Sequence, residues 1–398
     1  MSHAPKGSRR VCILTLDPRT FGGVIELQRV TCAALERFGL EPELVFLSAV
    51  RRERVRLLPA EVPLAGGRRG VQLGYLPSID FLNYAVPAVA LRQRLSGYAA
   101  WQVASGSSAA ALPLVLNGYP FVSWISTTVR SEFDSARVQT AALRPSLSRR
   151  LNNLLMPINE LVEREVLRRT PTLFALSKAT ATDFERYGLR NTPVLYPPVD
   201  LDLFRPDQET PFPRPYIFAA GRVDDIRKDF DFLIQAVAEA RRRVPKLSLV
   251  IAGPLQENSL VKKRARELLG DAALLVGRLD VKKLAAAHSG AAAFALSSRQ
   301  EGLGIVAAEA MASGTPTVQR RCGGADELVE EGMTGFLVEP TDVSGFADRL
   351  ALLALNDEQR VRMGRAARER ARDLFSRELF EASLRAAYQR TFPGLLPG

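Results

Sequence analysis

Short apolar runs alternate along the chain with longer stretches whose apolar residues recur every three or four positions. The first run, Val11 to Leu16, stops at Asp17-Pro18 and Gly22-Gly23. Val24, Leu27, Val30, Thr31, Ala34, Leu35 and Phe38 then follow at helical spacing until Gly39. Strand, glycine loop and helix in that order open a βαβ unit. The same texture predicts strands at Leu44–Leu47, Ala99–Ala104, Phe121–Trp124 and Thr172–Leu176, with helical stretches between them, including a long amphipathic one from Leu147 to Leu167.

The pattern breaks between Tyr196 and Pro215, where six prolines stand in a stretch without periodicity. Proline lacks an amide donor and does not sit inside a helix or central strand, so this reads as a linker. Beyond it the alternation restarts: strand Tyr216–Ala220, helix Phe230–Ala240, strands Leu247–Ala252, Ala273–Val276 and Ala292–Leu296, helix Ile305–Ala312, then strands Thr317–Gln319 and Gly335–Val338. Helices fill about Val343 to Thr391. The expected organisation is α/β: a Rossmann-like domain over 1–195, a linker over 196–215, a second Rossmann-like domain over 216–376, and a terminal segment 377–398. Two such domains would face a cleft, and sheets of this kind bind ligands beyond the carboxyl ends of their strands.

Composition narrows the chemistry. A chain of 398 residues that is 46% hydrophobic and 24% charged can bury full cores without disulfide or metal staples. Cys12, Cys32 and Cys322 are scattered and odd in number, which argues against a disulfide framework or structural zinc and fits a reducing compartment. With only His3 and His288, a histidine-ligated metal or a Ser-His-Asp triad is disfavoured. The polar segment Met1 to Arg10 shows no signal peptide. Leu95 to Val129 has 35 residues without a formal charge, but glycines and prolines interrupt it, so strand, helix, strand is the better reading than a membrane span. A cytoplasmic protein is expected.

The net charge of +11 lies mainly in residues 1–200, with 25 Lys/Arg against 16 Asp/Glu. Such a surface suits solubility, and could also meet an acidic substrate or an anionic lipid face, giving peripheral contact with the inner membrane. No base-reading motif accompanies it, so nucleic acid is not expected as a partner. Arg144, Arg149 and Arg150 beside Leu147, Leu151, Leu154 and Leu155 could make a membrane-contacting helix, although an ordinary packing helix is the simpler reading.

The strongest chemical signal lies in 297–324. Helix IVAAEAMA is apolar on every side except at Glu309, and a lone carboxylate there needs a partner or a polar ligand. Glu301 stands eight residues earlier. Even wholly helical spacing would separate the two by about 12 Å, beyond the roughly 5–9.5 Å of a glycosidase acid/base pair. They should instead grip different parts of one extended, hydroxyl-rich ligand. Gly302 and Gly304 bring amides to a helix N-terminus that favours an anion. The second signal is GRVDDIRK, 221–228, directly after a strand. Arg222, Arg227 and Lys228 could hold a diphosphate, or Asp224 and Asp225 could simply neutralise Arg227 and Lys228 in a solvated turn.

Gly221-Arg222 with a following Lys228, Glu301 and Glu309 within EGLGIVAAEAMASGTP, and then Gly323-Gly324 and Glu327 resemble the retaining glycosyltransferases of family 4. Looser matches extend over nearly the whole chain: Gly22-Gly23, Leu176-Ser177-Lys178, and Pro198-Val199-Asp200 with Phe204. The resemblance implies the GT-B fold, with an N-terminal acceptor-binding domain, a C-terminal donor-binding domain, and a last helix returning to the N-terminal domain. It implies transfer of a hexosyl group from a UDP- or GDP-sugar co-substrate to a hydroxyl acceptor (a glycan, a lipid-linked sugar or a small molecule) with no cofactor and no metal.

By the same resemblance Arg222, Lys228 and Glu301 are catalytic. Arg222 and Lys228 bind the donor diphosphate and stabilise charge as the nucleotide leaves. Glu301, with amides of Gly302, Leu303, Gly304 and Ile305, holds the transferred sugar and the distal phosphate, and Glu309 binds the ribose hydroxyls. Gly221 and Gly253 join the donor site, Arg278 and Leu279 lie where the base would sit, and Gly22 and Gly23 let the N-terminal backbone approach the phosphates or acceptor.

Three positions depart from the family pattern: no histidine occurs between His3 and His288, Lys228 follows Arg222 by six residues where five is usual, and Leu303 replaces a frequent phenylalanine. The missing histidine suits a front-face reaction in which the leaving phosphate itself takes the acceptor's proton. Two rival functions are a GT-B sugar-nucleotide epimerase, disfavoured by the shortage of histidine, and a non-catalytic partner subunit, disfavoured because Arg222, Lys228, Glu301 and Glu309 are all present. His288 reads as a helix-end residue.

Overall fold

A computed structural model describes residues 8–19, 22–47, 59–64, 68–73, 91–140 and 147–397. Arg144 lies outside the described residues, as do the side chains of Leu147, Arg149, Arg150 and Leu151. The chain divides into two compact units: Met1–Pro197 with Phe380–Gly398, and Pro198–Leu379.

In the first unit, β1 (Arg10–Leu16), β2 (Glu41–Leu47), β3 (Ala60–Pro63), β4 (Arg69–Leu73), β5 (Ala100–Ser105), β6 (Val122–Ile125) and β7 (Thr172–Ala175) form one sheet in the order β3-β4-β2-β1-β5-β6-β7. Every pairing is parallel except β3 with β4. β3 and β4 carry no pattern that predicts them. β3 is a four-residue edge strand ending at Pro63, a residue tolerated at an edge because it owes the ladder no donor. Helix α1 (Gly23–Arg37) follows β1, α2 (Leu112–Asn117) lies between β5 and β6, and α3 (Val129–Thr140) and α4 (Leu147–Arg168) separate β6 from β7. The uncharged stretch 95–129 is therefore strand, helix, strand. Helix α5 (Lys178–Glu185) is capped by Ser177, whose hydroxyl accepts from the Thr180 amide.

Helix α4 packs through Met156, Val166 and Leu167, which are buried, as a packing helix does. A second apolar face stays open: Leu154, Ile158 and Leu161 are 75%, 43% and 64% exposed. The buried side also carries Glu163, which accepts from the Ser108 hydroxyl (3.0 Å), the Val129 amide (2.9 Å) and the Tyr187 hydroxyl (2.7 Å). Burial pushes this carboxyl above its ordinary range, although all three hydrogen bonds act to lower it.

In the second unit, β8 (Tyr216–Ala220), β9 (Ser248–Ala252), β10 (Ala273–Gly277), β11 (Ala293–Leu296), β12 (Thr317–Arg320) and β13 (Gly335–Val338) form an all-parallel sheet in the order β10-β9-β8-β11-β12-β13. That is the doubly wound order 3-2-1-4-5-6, whose direction reverses between β8 and β11. Helices α6 (Phe230–Ala240), α7 (Leu260–Leu269), α8 (Val281–Gly290), α9 (Ile305–Ala312), α10 (Val343–Leu355) and α11 (Asp357–Phe375) complete it. Residues 198–215 hold neither helix nor strand, yet they pack on this unit. Phe204 is buried, and Arg368 donates to the carbonyls of Leu201, Phe204 and Ala312.

The last helix, α12 (Arg377–Thr391), buries Phe380, Leu384, Ala387 and Tyr388. From Phe380 onward it packs in the first unit. The Phe380 ring centroid lies 5.4 Å from that of Trp124, and the Tyr388 hydroxyl donates to Gln102 Oε1 at 2.6 Å. All three cysteines are buried and free. No helix among the described residues is long and apolar enough to cross a membrane.

Candidate functional site

The reversal between β8 and β11 sets the loops after these two strands side by side, because Ala293 and Phe294 pair with Ile217 and Phe218. The β8 loop carries Gly221, Arg222 and Lys228, and the β11 loop carries Glu301 to Gly304. Residues more than 70 positions apart in sequence meet here by topology alone. Lys228 Nζ forms an ion pair with Glu301 Oε1, and both side chains are mostly buried, at 17% and 13% exposed. The Ser298 hydroxyl donates to the same oxygen at 2.6 Å. The Lys228 stem lies against Gly221, where a Cβ would stand 3.3 Å from Cε.

Arg222 is half-exposed and pairs with Asp225 Oδ2 at 2.7 Å, and Arg227 takes the same carboxylate through Nε (3.0 Å) and Nη2 (2.7 Å). Partial burial raises the Asp225 carboxyl, but the bonds from the Arg227 side chain and amide, with the charges of Arg227 and Arg222, outweigh it and hold the group below its ordinary range. Of the two neutralising contacts a solvated turn would make, only the one from Asp225 to Arg227 forms. Asp224 instead accepts from the Gln256 amide at 2.9 Å, and Lys228 is committed to Glu301.

Two glycines have a steric reason to be glycine. Gly253 ends β9 with φ +143°, and a Cβ there would come within 1.7 Å of the Gly221 carbonyl oxygen, so the ends of β8 and β9 approach backbone to backbone. Gly304, in the left-handed region at φ +81°, is the N-cap of α9, and no side chain caps that helix. Its first amides therefore stay available to an anion. Leu303 is buried at 2% exposed, so only its backbone can serve a ligand. The Glu301 amide donates to the Cys322 carbonyl (3.3 Å) and the Gly324 amide to the Glu301 carbonyl (3.1 Å), which fixes this loop against 322–324.

Glu309, on the second turn of α9, has no hydrogen-bond partner at Oε2, which lies 3.7 Å from Nε2 of His288. Helix α9 is buried through its alanines and Met311, while Ile305, Val306 and Glu309 stay partly exposed. Arg278 and Leu279 follow β10 at the same carboxyl end of the sheet, the first exposed and the second half-buried. Gly22 and Gly23 are elsewhere, in the first unit, as N-cap and first residue of α1 after β1.

Three contributors carry no motif. Ser298 was hidden because one serine before a glutamate is unremarkable. His288 was read as a helix end, which it is, but not as fully buried beside Glu309. Asp229 sits at φ 46° immediately after Lys228, and its Oδ2 accepts from Arg299 Nε (2.7 Å) and Arg320 Nη1 (2.6 Å). Its position just before an apolar periodic run marked a helix start and nothing more. Among the described residues no three His, Cys, Asp or Glu side chains are grouped to hold a metal ion.

Residues 202–370 match the family described as "Glycosyl transferases group 1". The chain is 33% identical over 231 residues to a GDP-mannose-dependent alpha-(1-6)-phosphatidylinositol monomannoside mannosyltransferase of Mycobacterium tuberculosis, covering 52% of this chain and 60% of that protein. It is 34% identical over 209 residues to a D-inositol 3-phosphate glycosyltransferase of a Nocardioides species, covering 46% and 45%. The chain thus spans about half of the length of the curated relatives it matches. Among solved structures, sucrose-phosphate synthase of Thermosynechococcus elongatus superposes with a TM-score of 0.76 at 21% identity, covering 96% of this chain and 99% of that one. Anabaena HepE in complex with UDP superposes with 0.72 at 17%, covering 96% and 100%. Lys228, Glu301 and Glu309 all lie inside the segment that matches the group 1 glycosyltransferases, and the likeness to solved structures gives a GT-B fold built of two Rossmann-like domains.

Proposed function

We propose that the protein is a retaining glycosyltransferase that moves a hexosyl group from a UDP- or GDP-sugar to a hydroxyl acceptor without a metal ion. The observation that carries this reading is the ion pair of Lys228 with Glu301 at the reversal point of the second sheet, with Arg222 on the same loop as Lys228 and the uncapped N-terminus of α9 just after Glu301. Arg222 and Lys228 take the diphosphate, the amides at the start of α9 take its distal oxygens, Glu301 holds the sugar hydroxyls, and Glu309 holds the ribose. As the bond from the anomeric carbon to the phosphate oxygen breaks, both cations face the growing negative charge. The acceptor hydroxyl attacks the same face, and its proton passes to the departing phosphate.

The test is a donor screen with UDP-, GDP- and ADP-sugars in EDTA, reading thermal shift, nucleotide release and the anomeric configuration of the product. One nucleotide series should stabilise the protein and turn over slowly to water or sugar. Arg222→Ala and Lys228→Ala should each lower turnover by about 100-fold or more. Failure of every sugar nucleotide to bind refutes the donor site, an inverted product refutes retention, and loss of activity in EDTA restored by metal refutes metal independence.

The acceptor side draws on a different observation. The apolar face Leu154, Ile158 and Leu161 of α4 is continued by exposed Arg164 and Arg168, and by Arg169 paired with Glu165 at 2.6 Å, in a domain rich in basic residues. An exposed apolar stripe followed by cations suits the interface of an anionic bilayer, where a lipid-linked acceptor would be found. Sedimentation with phosphatidylglycerol vesicles should fall in Leu154→Asp and Leu161→Asp. Equal sedimentation of the variants and the wild type would remove the membrane from this reading.

A further inference from the structure

His288 is the only histidine among the described residues, and it is fully buried on α8. The rings of Phe218, Phe294 and Phe204 surround it, with centroids 4.9, 5.2 and 6.0 Å away. Neither imidazole nitrogen has a hydrogen-bond partner, and neither does the buried Oε2 of Glu309, 3.7 Å from Nε2. Leaving a buried polar group unpaired costs about 1–3 kcal/mol, and this pair concentrates that cost next to the donor loops. A phenylalanine could fill the cage as well. What only the histidine supplies is a ring nitrogen, 3.7 Å from one oxygen of a carboxylate that is itself partly exposed, able to carry a proton toward it.

We propose that His288 is a positioning residue for Glu309: its Nε2–H holds Oε2, which turns Oε1 toward the ribose hydroxyls of the nucleotide. The inference rests on the reading of Glu309 as the ribose-binding residue. Small movements of the Glu309 side chain bring Oε2 within hydrogen-bond range once a ribose fixes the other oxygen. The phenylalanine cage keeps the imidazole from following any other partner, so the donor offered to Oε2 is fixed in place and only the carboxylate has to settle as the ribose binds.

Calorimetric titration of the full chain tests this, using UDP, GDP and ADP and then the 2′-deoxy and 3′-deoxy forms of whichever binds best. Wild type should prefer the ribonucleotide. Glu309→Ala should abolish that preference. His288→Phe should reduce ribonucleotide affinity roughly tenfold, a loss of one ordinary hydrogen bond, with deoxynucleotide affinity unchanged. His288→Gln, which keeps an N–H within reach, should recover most of the preference. A packing role predicts the reverse order, with Phe tolerated and Gln damaging, so the pair of variants remains decisive even if one folds poorly. If Glu309→Ala leaves the preference intact, the ribose assignment itself falls. If Glu309→Ala removes it and His288→Phe does not, the positioning role falls and the ribose assignment stands. Absence of binding by all three nucleotides overturns both.

Discussion

Asp229 offers a test in which backbone and side-chain energetics pull in opposite directions. It follows Lys228 with φ 46° and ψ 51°, a left-handed conformation that costs an ordinary L-residue about 1–2 kcal/mol and glycine nothing. Judged from the backbone alone, Asp229→Gly should stabilise the protein. The side chain opposes this. Its Oδ2 accepts from Arg320, which is only 11% exposed, lies 4.6 Å over the Phe232 ring and has an unpaired Nε. Removing one partner of a buried ion pair costs about 3–5 kcal/mol. The second partner, Arg299, is 45% exposed, so its bond adds under about 1 kcal/mol. The difference leaves Asp229→Gly destabilised by about 1–4 kcal/mol. Asp229→Asn, which tolerates the backbone and keeps one acceptor, should fall between. Because both tryptophans, Trp101 and Trp124, belong to the first unit, their fluorescence does not report this loss. Hydrogen exchange over 230–240 and far-UV circular dichroism in urea do. Turnover should fall with stability, since Lys228 is the preceding residue. An Asp229→Gly protein as stable and as active as wild type would show that the arginine clamp contributes nothing.

Substitutions at two further positions, one in each unit, probe the units separately. Glu163 has a raised carboxyl pKa, so its native state favours the proton and its contribution to stability declines as pH rises from about 4.3 through the folded value. Glu163→Gln removes that decline: its advantage over wild type in tryptophan-monitored unfolding should grow with pH and then level off. Glu163→Leu should instead lose several kcal/mol by orphaning the Ser108, Val129 and Tyr187 donors, and equal damage from both variants would refute the account. Gly253→Ala forces a methyl to within 1.7 Å of the Gly221 carbonyl oxygen, so it should abolish nucleotide-induced stabilisation in a protein still folded by circular dichroism; undiminished binding would count against the close approach.

What could be read in the sequence follows from how local each signal is. The strands Tyr216–Ala220 and Thr317–Arg320 and helix α6 are marked by period and by flanking turns within ten or so residues, and they form nearly where the pattern puts them. β4 escaped because Arg69-Gly-Val-Gln-Leu73 has neither alternation nor a β-branched run, and only its place beside β2 makes it a strand. In the site, Arg222, Lys228, Glu301 and Glu309 were legible through spacing. Their partners were not, because Asp229 with Arg320, and Glu309 with His288, are brought together by sheet order and helix packing over 91 and 21 positions. The two faces of α4 were not separable for the same reason: period finds apolar stripes without saying that Met156, Val166 and Leu167 are covered and Leu154, Ile158 and Leu161 are not.

The partners that sequence could not supply also balance the charge of the cations in this site. Arg222 rests on Asp225, and Lys228 rests on Glu301, so neither cation is left unpaired. Each carboxylate in turn has a second donor: Arg227 grips Asp225 through two nitrogens, and the Ser298 hydroxyl bonds Glu301. If a diphosphate draws Arg222 and Lys228 away, as the proposed function requires, Asp225 and Glu301 keep those donors and are not stranded as bare buried anions. The exchange therefore trades one charge-assisted hydrogen bond for another of similar strength, and avoids the penalty for breaking a buried pair outright. On the proposed reading the same carboxylates and donors thus serve both the resting site and the occupied one, and binding costs no more than the difference between the pairs exchanged.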